Sequence, residues 1–226
     1  GYTVVDAATA IATHLNTILR NNSSELLSHD EAQQLLDKVA NKSPKLVEDL
    51  VPTKLTLATI TKTLQNILAE DIPLKDMRTI IEVLSNTSST TQDPEALTAE
   101  VRPRLGRMIV QNLVDIEQTL PVITLDPTLE QMLHNVLQQS NSSQGLVIEP
   151  NLAEQLFQSL AEHTETIENQ GNPAVLVVSP SIRPWLSKVV RNRIRDLTVL
   201  SYNEIPDDQP IKVVATVENK NQNERK

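Results

Sequence analysis

Val122-Ile123-Thr124-Leu125-Asp126-Pro127 reads as a short strand that stops at an acceptor side chain and a proline. β-branched and aliphatic residues suit a pleated surface, and a proline closes the run because it cannot donate to a ladder. The same pattern returns at Leu146-Val147-Ile148-Glu149-Pro150 and at Ala174 to Val178 followed by Ser179-Pro180. Leu197 to Tyr202 and Ile211 to Val217 are two further runs of this kind. Between the earlier ones lie stripes at helical spacing: Leu129, Leu133 and Leu137, then Leu152, Leu156 and Leu160, then Trp185, Val189 and Val190. Strands alternating with helices predict βαβ units and a partly parallel sheet. The last two runs are joined by a stretch rich in Pro and Asp, Asn203 to Pro210, and are expected to pair as an antiparallel hairpin. The sheet is then mixed and flanked by helices.

Upstream of Val114 the period is helical. Asp6 caps a helix with Ile11, Leu15, Ile18 and Leu19 on one face and Thr9, Thr13, Asn16, Thr17 and Arg20 on the other. Ser28-His29-Asp30-Glu31 is a capping box ahead of Ala32, Leu35, Leu36 and Val39. A helix through Ile60, Leu64 and Ile67 follows, and Pro73 is expected to open the next, with Met77, Ile80, Ile81 and Leu84 inward. Asp93-Pro94 caps a helix whose interior Pro103 predicts a kink or break. The fold class is α+β: an all-helical subdomain, then an α/β subdomain. The predicted boundaries are 1–27 for the end of a preceding subdomain (residues 2–5 as a strand, then a helix), 28–113 for the helical part, 114–218 for the α/β part, and 219–226 for a charged, disordered tail.

Composition removes several function classes. The 226 residues carry a formal charge of −9, with aromatics at 2% and no cysteine. An acidic chain without stacking platforms is a poor nucleic-acid binder. Disulfides, thiolate nucleophiles and cysteine-ligated metals are excluded, and a reducing compartment fits. No apolar run approaches the ~20 residues needed to span a bilayer. Four glycines leave no room for a phosphate cradle or dinucleotide fingerprint. His14, His29, His134 and His163 show no ligand spacing on one helix. Asp126, Glu149 and Ser179, beyond the carboxyl ends of strands, are where an α/β enzyme would place a site. They also read as helix caps before a proline, and capping accounts for all three residue types. No catalytic, metal or cofactor site is expected. Stiff, β-branched threonine is a poor helix former, so Thr9, Thr13 and Thr17 with Asn16 on one helix face point to contact, either with a partner or with a neighbouring subdomain.

Ordered blocks over nearly the whole chain resemble the FlhA family of flagellar export-gate proteins, part of the type III secretion export-gate family. They include Gly1-Tyr2-Thr3-Val4-Val5-Asp6, Ala12-Thr13-His14-Leu15, Pro44 to Pro52, Leu64-Gln65-Asn66-Ile67-Leu68, Leu105-Gly106-Arg107 and Val199 to Pro206. The resemblance implies the later part of a four-subdomain cytoplasmic module below the membrane helices of a bacterial inner-membrane protein. It implies a nine-fold ring of export-gate subunits that receives chaperone–substrate complexes and soluble export components, and no enzymatic activity. The family's chaperone site includes a threonine near the Ala-Thr-His-Leu block, which falls on Thr13; Thr9, Asn16 and Thr17 share its face. Pro103 and the stretch after Val217 depart from the family pattern. The virulence-secretion branch shares much of it, and Tyr202-Asn203-Glu204-Ile205-Pro206 favours the flagellar branch. In the partner export protein that cleaves itself, Asn-Pro is followed by Thr-His; here Asn172-Pro173 is followed by Ala174-Val175, and no self-cleavage is expected. The rival readings are a small α/β enzyme at the sheet edge and a ring spacer that binds no cargo.

Overall fold

The computed structural model describes residues 6–115, 117–139, 149–194 and 196–218. Two compact units divide the chain at Leu105/Gly106. The runs expected at 2–5 and 146–148, and the tail 219–226, lie outside the described residues.

Helices alone build the described part of the first unit. α1 (Ala7–Asn21) starts at Asp6, whose carboxylate accepts from the Thr9 amide at 2.9 Å. A short α2 (Ser23–Leu26) precedes α3 (His29–Ala40). The predicted capping box is present at α3: the Glu31 carboxylate accepts from the Ser28 amide at 2.9 Å, and the Ser28 hydroxyl accepts from Asp30 at 3.2 Å. α4 (Pro44–Glu48), α5 (Leu57–Leu68), α6 (Met77–Thr87) and α7 (Pro94–Arg104) follow. α5 packs on α3 and α7, and α7 on α6, so the stripes Leu36, Ile60, Leu64, Ile67, Ile80 and Leu84 meet with no exposed surface. Each such side chain contributes about 1.5–3 kcal/mol on burial. Pro73 does not open α6. The Asp76 carboxylate caps it, accepting from the Thr79 amide at 3.1 Å, and Pro73 stays in the preceding turn. α7 ends at Arg104 and the helical path resumes at Gly106, the break that Pro103 predicts.

The described part of the second unit holds a four-stranded sheet in the order β3-β2-β1-β4, with β1 (Leu120–Leu125), β2 (Ala174–Val178), β3 (Leu197–Ser201) and β4 (Ile211–Val217). α8 (Gly106–Gln111) precedes it; α9 (Pro127–Gln139), α10 (Pro150–Asn169) and α11 (Arg183–Arg191) connect its strands. Ile123 pairs with Leu176, Leu176 with Val199, and Leu125 with Val217. β2 is buried along its whole length and β1 nearly so, which is why both read as unbroken apolar runs rather than alternations.

One expectation is overturned here. β3 and β4 do not form an antiparallel hairpin; they occupy opposite edges with β2 and β1 between them. Among the described strands every pairing is parallel, so the mixed sheet becomes a parallel one. The connection Tyr202–Pro210 is far longer than the two residues a hairpin needs, and it returns the chain to the start of β4. It begins with a 3₁₀ turn, Tyr202–Glu204, against which Gly106 packs directly. A Cβ at Gly106 would lie 2.1 Å from the Glu204 carbonyl oxygen, so only glycine fits.

Candidate functional site

α1 holds every residue of the predicted docking face and buries none of its own side chains. Thr9, Thr13, Asn16 and Thr17 are all exposed. Thr9 is committed locally: its hydroxyl donates to the Asp6 carboxylate at 2.7 Å, and these bonds hold the Asp6 carboxyl below the usual carboxylate range. The Thr17 hydroxyl donates to the Thr13 carbonyl at 3.0 Å. Among the described residues the Thr13 hydroxyl and the Asn16 amide engage no partner. The opposite face presents Ile11, Leu15, Ile18 and Leu19, from 44% to 68% exposed. A helix of this length is marginal alone in water. An amphipathic helix with both faces open is suited to contact on each: apolar burial on one, hydroxyl and amide bonding on the other.

The carboxyl edge of the sheet holds the rival site, and there the three predicted residues separate. Asp126 behaves as a cap, accepting from the Thr128 amide at 2.8 Å; the Thr128 bonds, side chain first, hold its carboxyl low. Glu149 stands at the N-cap of α10 without a side-chain bond to it. Ser179 caps nothing: α11 begins only at Arg183, and the Ser179 amide donates to Glu130 at 2.6 Å. Glu130, which the motif reading missed, is the hub. Its other oxygen accepts from the Tyr202 hydroxyl at 3.0 Å. Partial burial first, and then this bond, push the Tyr202 phenol up to about 12.

His134 lies one turn beyond Glu130 on α9, with Nδ1 3.0 Å from the Ser181 hydroxyl and Nε2 2.8 Å from the Gln138 amide nitrogen. Both ring nitrogens of His134 are thus engaged by neighbouring side chains. The spacing Glu130, His134, Gln138 on one helix face was the available signal. Among the described residues no cluster of His, Asp and Glu is arranged to hold a metal ion. The edge is a closed set of bonds tying α9 to the ends of β2 and β3.

Against known proteins, residues 1–210 match the model of the FHIPEP family. The chain belongs to the FHIPEP family. It is 44% identical over 217 residues to the flagellar biosynthesis protein FlhA of Salmonella typhimurium, covering 96% of this chain and 31% of that protein. This chain thus spans about a third of the length of that curated relative. Among solved structures it is similar to the nonameric SctV-C of EPEC, with TM-score 0.81 and 27% identity over 92% of this chain and 62% of that one. It is also similar to a structure of the Chlamydia pneumoniae CdsV and CdsO complex, with TM-score 0.82 and 26% identity over 92% of this chain and 60% of that one. These two solved structures share the overall fold of this chain.

Proposed function

We propose that this FHIPEP chain is part of the cytoplasmic docking platform of a flagellar type III export gate. In this reading it takes part in a ring of like subunits and receives chaperone–substrate complexes and soluble export components by binding, without catalysis. It belongs to the cytoplasmic side of a bacterial inner-membrane protein. Among its described helices none is long and apolar enough to cross a membrane. The higher identity to FlhA than to SctV-C supports the flagellar branch over the virulence branch. The nonameric SctV-C supports ring assembly, and the CdsV–CdsO complex supports the capture of a second protein. The division into parts at 1–27, 28–113, 114–218 and 219–226 belongs to the same proposal.

The observation that carries it is α1: a capped, amphipathic helix with no buried side chain. Thr13 stands at the middle of its polar face, with Thr9, Asn16 and Thr17 around it. A threonine face offers methyls for apolar contact and hydroxyls for hydrogen bonding, with little rotamer entropy to lose. A central position of this kind contributes about 1–3 kcal/mol to an interface. The test is titration calorimetry of a flagellar chaperone–substrate complex against the complete cytoplasmic module, wild type and Thr13→Asp. Binding weakened at least about tenfold, with an unchanged melting temperature, is expected. Equal affinities would make Thr13 a packing residue.

A further inference from the structure

A groove on the helical unit has no part in the α1 reading. It lies between the C-terminal end of α3 and the turn that enters α6, with a volume of about 320 Å³. Leu35, Val39, Leu74 and Met77 line its floor; Met77 is buried and the other three are half-buried. Lys38, Lys42, Lys75 and Arg78 stand around it, all exposed. Asp76 is the one carboxylate in the lining, and its oxygens are occupied by the Thr79 amide and hydroxyl. Arg78 pairs with Glu82 at 2.9 Å, while among the described residues Lys38, Lys42 and Lys75 have no ion-pair partner. Four cations against one carboxylate surround an apolar floor in a chain whose formal charge is −9.

Helix stabilisation accounts for only half of this. Lys38 lies in the last turn of α3, where a cation suits the negative end of the helix dipole, and Lys42 follows just beyond. Lys75 and Arg78 flank the N-cap of α6, the positive end, where the dipole disfavours them. They are placed against their own helix and towards the groove. The lining offers no aromatic platform for bases, and its floor is apolar rather than a cradle of backbone amides.

We propose that this groove docks an acidic amphipathic segment of a partner protein. The segment lays aliphatic side chains on the Leu35, Val39 and Leu74 floor and sets carboxylates against Lys38, Lys42, Lys75 and Arg78. This is the helix-in-groove mode with charge complementarity at its rim. It is a second surface, independent of α1.

The test uses the 226-residue chain and three fluorescent peptides about four helical turns long, read by anisotropy. One carries leucines at i, i+4, i+7 and glutamates on the flanks. One has the same composition scrambled, without an apolar face. One has every glutamate replaced by lysine. The acidic amphipathic peptide binds at least about tenfold more tightly than either control, and added salt weakens it. Lys38→Glu with Lys75→Glu abolishes that preference, Leu74→Ala weakens binding without altering its salt dependence, and Thr13→Asp leaves it unchanged. Circular dichroism checks that each variant is folded. Equal binding of the three peptides, or binding indifferent to the charge reversals, overturns the proposal. So does an oligomer in sedimentation velocity that the charge reversals dissociate, which would assign the groove to a second copy of this chain.

Discussion

Among the described residues each unit buries one arginine, and the two are held differently. In the helical unit Arg102, 1% exposed, sets Nη1 2.8 Å from Glu70, whose side chain keeps 15% of its surface. In the α/β unit Arg183 donates from Nε to the Val199 carbonyl at 3.3 Å and lies 3.6 Å from Glu204. Glu204 is itself only 2% exposed and accepts from the Ser201 hydroxyl at 2.9 Å. Burial pulls the Arg183 guanidinium down to about 10, against the attraction of Glu204 and with the repulsion of Arg191. The first pair reaches water at its carboxylate end; the second is dry at both. Two charges taken out of water stabilise little as a pair, but each becomes costly once the other is gone. The α/β unit is therefore the one whose fold depends on keeping its pair whole. That pair ties the start of α11 to the turn after β3, the connection that carries the chain from one sheet edge to the other.

The largest expected effect breaks this comparison directly. Glu204→Gln keeps the shape and removes the carboxylate charge beside the buried Arg183; it is expected to cost about 3 kcal/mol. Glu70→Gln changes the one end of this pair that keeps some exposed surface, 15% at the Glu70 side chain, and is expected to cost less, about 1 kcal/mol. Urea unfolding followed by far-UV circular dichroism gives both values. A Glu70→Gln loss equal to or larger than the Glu204→Gln loss would mean that dryness is not what separates the pairs.

What the sequence made legible follows the same division. The helical unit is held by short-range rules: Asp6, Ser28 and Asp93 cap helices two or three residues away, and the stripe Ile60, Leu64, Ile67 needs only its own spacing. Residues of this kind can be read one window at a time. In the α/β unit the strands β1 and β2 were readable as runs, but their neighbours were not. Nothing local in Ile211 to Val217 says that it pairs with β1 rather than with β3. Glu130 and Tyr202 are 72 residues apart in sequence, so their bond leaves no periodic trace. Ser179 misled because Ser-Pro also begins a turn, and here the turn delays the helix to Arg183. On α1 the residue types and their common face were legible.

Intermediate effects come from the caps and sharpen the contrast. Ser28→Ala removes one half of a reciprocal box and is expected to cost about 1 kcal/mol. Asp126→Ala is expected to lower the urea midpoint in the same direction, whereas Glu149→Ala, with no cap bond to lose, is expected to leave it unchanged. The pH dependence carries a sign. The Glu31 and Asp126 carboxyls are held below their ordinary values, chiefly by hydrogen bonds from Ser28 and Thr128. Their contribution is therefore present above the unfolded carboxylate range, near pH 4, and is lost as pH falls through the folded values. Acid titration of Asp126→Ala should show a shallower decline in stability than wild type. An identical decline would mean that the Thr128 bonds do not favour the ionised carboxylate.

The smallest effect concerns Tyr202, where the contrast between dry and wet contacts appears within one unit. Half of this residue is exposed, yet its hydroxyl donates to a Glu130 oxygen while the other oxygen accepts the Ser179 amide. Partial burial disfavours the phenolate first, and ionisation would also remove the donated proton and set two anions face to face, so the neutral form is favoured and the folded value rises to about 12. An unfolded tyrosine ionises near pH 10. The protonated phenol thus contributes stability that is complete below about pH 10 and is lost as pH rises towards about 12. Tyr2→Phe leaves Tyr202 as the only tyrosine, so phenolate absorbance reports it alone. At about pH 11, with folding checked by circular dichroism, roughly a tenth of Tyr202 should be ionised, where a free tyrosine would be roughly nine-tenths ionised. Glu130→Gln should move the ionisation back towards the free value, because the hydrogen bond then ends on a neutral amide. Ionisation near pH 10 in the folded protein, indifferent to Glu130→Gln, would show that the Glu130 bond is too weak to hold the phenol neutral.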